Sequence, residues 1–158
     1  LFRSLLTHTS GLRSGLGPHG EWEGAARALA FACEETPLNP PGTVFRYSDI
    51  NFILLGEIVR EVTGLRVDAF CAREVFGPLG MKDTGFRPNS AQRPRIAPTE
   101  RQPDGSVLRG VVHDPTARRM GGVAGHAGLF TTAGDLARFA RMMLGEGRLD
   151  GQIGRAHV

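Results

Sequence analysis

Few side chains in this 158-residue chain combine the type and the setting needed to make or break a covalent bond. The single tyrosine, Tyr47, opens the stretch "YSDINFILLGEIVREVTG", with Ser48 and Asp49 directly after it and a long apolar helical run behind. A phenol at a loop-to-helix junction sits where the unpaired first-turn amides form a positive end able to stabilise an anion. The plainer alternative is a half-buried tyrosine whose hydroxyl is satisfied by a backbone partner. His8 and Ser10 in "THTSG" offer a base beside a hydroxyl, but the strand-turn-helix setting of a G-x-S-x-G nucleophile is missing, and a helix end followed by a turn accounts for them better. His113 and Asp114 could ligate a metal together with His8 or His126; without a helical H-x-x-x-H spacing, the reading is no metal and no other cofactor. His126, inside "GHAG", is a loop histidine suited either to touching a ligand or to a structural hydrogen bond. Cys33 and Cys71 lack C-x-x-C spacing and are expected as two buried, reduced thiols.

The elements that would hold these groups are helices joined by long Gly/Pro-rich loops. Phe2 to Leu6 reads as the end of a helix that starts before this sequence does, and the glycines of "THTSGLRSGLGPHG" impose a loop after it. Trp22 to Glu34 is alanine-rich with helical spacing, and Pro37, Pro40 and Pro41 forbid its continuation. Ser48 is placed as an N-cap and Asp49 in the first turn; Ile50, Ile53, Leu54, Ile58 and Val62 share one face, and Gly64 closes the helix. Because Phe52, Leu55 and Val59 make other faces apolar as well, this helix is expected to be mostly buried. A shorter helix is expected around Val67 to Val75, and "IAPTERQPDGSVLRGVV" reads as two short strands about an Asp-Gly turn. "GGVAGHAGLF" is too rich in glycine for a regular element, and Thr132 with Asp135 forms a capping-box variant starting a helix through Leu144. Glu57, Arg60 and Glu61 form the polar face of their helix.

Composition narrows the function classes. The hydrophobic content of 41% supplies a core for one domain or part of a larger one. The net charge of +3 is carried by 18 arginines and a single lysine, Lys82, scattered along the chain. Scatter argues against a nucleic-acid surface, which needs a basic stripe with interleaved aromatics. No apolar stretch reaches the ~20 residues of a membrane span. The chain starts at Leu1 without a methionine, so a secretion signal could lie upstream, and the compartment, periplasmic or secreted included, stays open.

Four stretches in order, "LLTHTSGL", "PGTVFRYSDINFILLGEIVREVTG", "VFGPLGMKDTGF" and "GLFTTAGDLARFARMML", resemble serine hydrolases of the beta-lactamase class C type, a family that includes penicillin-binding carboxypeptidases, D-aminopeptidases and esterases. The resemblance covers nearly the whole chain to about Gly151. It implies an α/β (α+β) beta-lactamase/transpeptidase-like fold, of which this chain would supply mainly the helical lobe. It also implies hydrolysis of an amide or ester in a small-molecule or peptide-like substrate through a serine acyl-enzyme, with neither nucleic acid nor metal as partner. In such enzymes the serine of an S-x-x-K motif attacks the carbonyl while the lysine and the tyrosine of a Y-x-N motif handle the proton, because a serine hydroxyl is a weak nucleophile until a base accepts its proton.

Carried over residue by residue, Tyr47 is the catalytic tyrosine, Asp49 stands at the substrate-contacting asparagine position, and His126 lies in a loop on the substrate side. The sequence departs from the pattern in two ways. Asp49 is a carboxylate that only accepts hydrogen bonds when ionised, where the family carries an amide. No S-x-x-K occurs, so the nucleophile and its lysine are expected before Leu1, and the Lys-Thr-Gly or His-x-Gly strand after the last helix. "GHAG" imitates that last motif but comes too early. Residues 1–152 are thus expected to form part of one hydrolase domain, itself inactive. "IGRAHV" is suspected to be a non-native tail, 153–158 in the domain division. The rival reading is a catalytically silent relative that keeps the cleft to bind peptidoglycan-like or peptide ligands.

Overall fold

The computed structural model describes residues 2–149 and the strand pairing at 152–153. In chain order the elements are α1 (Phe2–Leu6), α2 (Ala25–Glu34), α3 (Asp49–Thr63) and α4 (Val67–Cys71). They continue with β1 (Gly85–Phe86), β2 (Pro98–Arg101), β3 (Val107–Arg109), α5 (Pro115–Arg119), β4 (Leu129–Phe130), α6 (Ala133–Leu144), β5 (Arg148–Leu149) and β6 (Gln152–Ile153). The strands form three antiparallel pairs, β1 with β4, β2 with β3 and β5 with β6. The suspected tail falls outside the described residues except for Ile153 in β6. Among the described residues no helix is long and apolar enough to cross a membrane.

Helix α3 is the hub, packed by α1, α2 and α4. Ile50 and Ile53 on its inner face meet Ala28 and Ala32 of α2, Leu12 from the first loop, and Val112, Ala117, Met120 and Ala124 from the segment around α5. Each isoleucine so buried stabilises the fold by roughly 1.5–3 kcal/mol relative to exposure. A second cluster, Phe76, Leu79, Met81, Met142 and Leu149, seats α6. Thr132 caps α6 through a hydrogen bond from the Asp135 N–H (3.2 Å). The Asp135 carboxylate turns away from the cap to accept from the Asp83 N–H and the Thr84 hydroxyl, both at 2.8 Å.

Several expectations are corrected by the packing. Helix α2 starts at Ala25, because Gly24 (φ 90°) breaks the backbone ahead of it; Trp22 packs against the core edge-on to Phe31 instead. α3 has the expected ends, with Gly64 left-handed (φ 72°) and donating to the Arg60 carbonyl. Yet only Ile50, Asn51, Ile53 and Leu55 are buried, and Val62 is 78% exposed, since neighbours cover only the N-terminal half of the helix. Ser48 occupies the N-cap position without capping, its fully buried hydroxyl donating to the Arg13 carbonyl (2.6 Å). α4 ends at Cys71 and passes into one wider π turn through Phe76. Both cysteines are free, as expected, but Cys33 is exposed; Cys71 is half-buried, and burial, then Asp68, pushes its thiol pKa up. The β2–β3 hairpin stands where expected, its turn closed by Gln102 N–H to the Ser106 carbonyl (2.8 Å).

Candidate active site

Tyr47 projects from the loop just ahead of α3 and is 59% exposed. Below it, one face is formed by His8, whose ring lies 4.7 Å from the tyrosine ring between centroids. Asp49, in the first turn of α3, places a carboxylate oxygen within 4.8 Å of ligating atoms of both Asp114 and His126. The three predicted site residues therefore share one region, joined by Asp114.

Asp114 is held by two demands on one oxygen. As N-cap of α5 its Oδ1 accepts the Ala117 N–H (2.6 Å), and the same oxygen meets His126 Nε2 at 2.9 Å. The His126 side chain is only 2% exposed, and its Nδ1 is buried with no protein partner. What sets His126 there is Gly125. An added Cβ at Gly125 would fall 2.0 Å from the Phe52 carbonyl oxygen, and the backbone of Gly125 lies 3.3 Å from the corresponding Cβ position of Gly56. The "GHAG" loop thus rests directly on the α3 backbone through a glycine–glycine contact that any side chain would wedge apart.

The electrostatics around Tyr47 run against a free phenolate. The Asp49 carboxylate, by its charge and by accepting the phenol hydrogen, raises the Tyr47 pKa above its usual 10.0; burial and then Asp114 add to the rise. Negative groups on two sides favour the neutral phenol, and a cation nearby would be needed to reverse that. Asp49, Asp114 and His126 are also a set that could grip one cation, whether an ammonium or a metal ion. His113 does not join them; its Nδ1 faces Glu100 at 3.8 Å. Next to Asp114 opens a cavity of about 800 Å³, walled by Arg95, Ile96, Leu129, Phe130 and Thr132 among others.

Ser10 is not poised as a nucleophile. It is 7% exposed, its hydroxyl donates to Asn51 Oδ1 (2.6 Å), and it accepts from the Leu12 N–H (3.1 Å). The residue that sequence reasoning underrated is Asp114. Its signal was present in "HDPTARR", an aspartate followed by proline at the first helical position, the mark of a capped helix start.

The Beta-lactamase family model matches residues 2–158, and the chain belongs to the beta-lactamase family. A protein of Escherichia coli (strain K12) named "Putative D-alanyl-D-alanine carboxypeptidase" is 37% identical, the match covering 72% of this chain and 30% of the relative. The namesake of Salmonella schwarzengrund is 36% identical over the same shares. The chain thus spans under a third of the length of these relatives. Among solved structures, the beta-lactamase/D-alanine carboxypeptidase from Pseudomonas syringae superposes with a TM-score of 0.74 at 22% identity, covering 98% of this chain and 41% of that one. The octameric penicillin-binding protein homologue from Pyrococcus abyssi gives a TM-score of 0.67 at 21% identity, covering 92% and 35%. These likenesses establish the beta-lactamase/transpeptidase-like α+β fold.

Proposed function

We propose that this chain provides the tyrosine side of the active site of a serine hydrolase that cleaves an amide or ester bond through an acyl-enzyme, and that the serine and lysine of the site lie upstream of Leu1. The observation that carries the reading is the convergence of Tyr47, Asp49 and the Asp114–His126 pair at the N-terminus of α3, beside a cavity with room for a peptide-like substrate. Tyr47 passes the serine's proton, Asp49 faces the substrate, and the buried His126 acts through Asp114, which it holds at the cavity wall. Because the surrounding carboxylates hold the phenol neutral, Tyr47 works as a base only when the upstream lysine's ammonium stands within ~4–6 Å of it. The 158-residue chain by itself therefore turns over no ester.

The test is Tyr47→Phe in the complete protein, with acylation rate and unfolding midpoint measured on one sample. The change keeps the ring and removes the ionisable oxygen. Acylation should fall ~10²–10⁴-fold, the usual loss for an acid-base group, with the midpoint nearly unchanged. A tyrosine that is only scaffold would instead lose on the order of 1 kcal/mol of stability and keep its rate. Binding of peptide ligands by a complete protein without S-x-x-K would establish the rival reading, a silent relative.

A further inference from the structure

The residues before and after Tyr47 are both tied, through their backbone N–H groups, to one residue of the first loop. The Arg46 N–H donates to the His8 carbonyl (2.8 Å), and the Ser48 N–H donates to His8 Nδ1 (3.1 Å). The same imidazole covers a face of the Tyr47 ring at 4.7 Å, tilted by 35°, and it also packs on Phe52 at 5.1 Å and edge-on to Phe45 at 6.0 Å. A backbone N–H can only donate, so Nδ1 carries the lone pair and the ring proton sits on Nε2. Asn51 reinforces that arrangement. Its Nδ2 faces Nδ1 at 3.3 Å, and its Oδ1 is occupied by the Ser10 hydroxyl at 2.6 Å. His8 itself holds φ at 54°, in the left-handed region that non-glycine residues seldom adopt, and this turn of the chain lets carbonyl and ring address the same loop.

We infer that His8 is a positioning residue for Tyr47: it clamps the backbone N–H groups of Arg46 and Ser48, the residues before and after the tyrosine, and supports one face of its ring, so that the phenol oxygen is held at a fixed point without His8 touching the substrate. The inference rests on the reading of Tyr47 as the proton-handling group. A loop residue that is largely exposed, as Tyr47 is, would otherwise have several orientations available, and a misplacement of ~1 Å can cost ~10²-fold in rate.

The experiment uses the complete protein and an ester substrate, measuring kcat, KM and unfolding midpoint for His8→Gln, His8→Asn, Tyr47→Phe and the double variant His8→Gln/Tyr47→Phe. Asparagine sets an acceptor where Nδ1 was and tolerates the left-handed backbone, whereas glutamine carries its acceptor one atom further out and leaves the Ser48 N–H without one. His8→Gln should lower kcat by ~10–100-fold with KM changed less than about threefold. His8→Asn should recover most of that loss. In the Tyr47→Phe background His8→Gln should cost nothing more, since a residue that acts through the phenol has nothing left to position. Equal rates for the Gln and Asn variants would overturn the inference, as would a full His8→Gln penalty in the double variant. So would loss of midpoint and rate together in both His8 variants, which would make the ring a support of the fold. If Tyr47→Phe is slow while His8→Gln is fast, the clamp alone is wrong; if Tyr47→Phe keeps its rate, the proton-handling role fails first.

Discussion

Gly125→Ala is the substitution whose consequences can be worked most closely from the geometry. The new Cβ would stand 2.0 Å from the Phe52 carbonyl oxygen, 3.0 Å from its carbon and 3.1 Å from the Gly56 nitrogen. All three are backbone atoms inside α3, so no rotamer change relieves the overlap, and the "GHAG" loop must lift from the helix by roughly 1.5 Å to restore ordinary contact. Overpacking of this kind costs about 1–3 kcal/mol. The lift also carries His126 away from Asp114, stretching a 2.9 Å hydrogen bond on an imidazole whose other nitrogen is already buried without a partner. An unmet buried polar group adds about 1–3 kcal/mol. With ~2–4 °C per kcal/mol for a domain of this size, the melting midpoint should fall by roughly 4–24 °C. Thermal unfolding followed by circular dichroism, against Gly20→Ala, where a Cβ meets nothing within 4 Å, provides the comparison. A Gly125→Ala protein melting within about two degrees of the parent would refute the close loop–helix contact and with it the placement of His126.

Two further substitutions separate scaffold from chemistry. Ser10→Ala removes a buried hydroxyl bonded to Asn51 and to the Leu12 N–H, so stability should drop by about 1–3 kcal/mol while the acylation rate per folded molecule of the complete protein holds; a selective loss of acylation would restore Ser10 as a chemical candidate. Because Tyr47 is the only tyrosine, near-ultraviolet tyrosinate absorbance of the 158-residue chain reports its ionisation alone. Asp49→Asn should bring that titration to lower pH, and Asp114→Asn should do so by less, following the order of the two carboxylates' effects; the opposite order, or no movement, would contradict the site's electrostatics.

What was legible in the sequence follows from where local chemistry decides structure. The ends of α3 and α6 were readable because Gly64 and Thr132 act through the backbone of their own turns. The β2–β3 hairpin was readable for the same reason, its turn being closed within a few residues. Contacts that join distant segments were not. Ser48 looks like an N-cap until Arg13, 35 residues earlier, presents a carbonyl to its hydroxyl. The Gly56–Gly125 contact gives no sign in either stretch alone, and α3's exposed second half reads as core because apolar spacing cannot say what covers it. At the site, Tyr47, Asp49 and His126 came from motif order, whereas Asp114 and the support given by His8 depend on loops meeting in space.

The aspartate at position 49 then takes on a definite meaning under the proposed function. A proton carrier works best when its pKa lies near the operating pH, and the phenol starts far above it. Asp49 first, then burial and Asp114, move it higher still. An ammonium brought in by the upstream segment would meet two carboxylates and a phenol at once. Asp49 would hold that cation as an ion pair, where an asparagine offers only a neutral carbonyl dipole, and charge-assisted hydrogen bonds are roughly twice as strong as neutral ones. A lysine so fixed would offset, by its positive charge, the carboxylate that raises the Tyr47 pKa, so that one contact would both anchor the lysine and ready the phenol. Under the proposed function the carboxylate at 49 and a lysine beside it work as a pair, acting on a tyrosine set by His8 on one side and by α3 on the other.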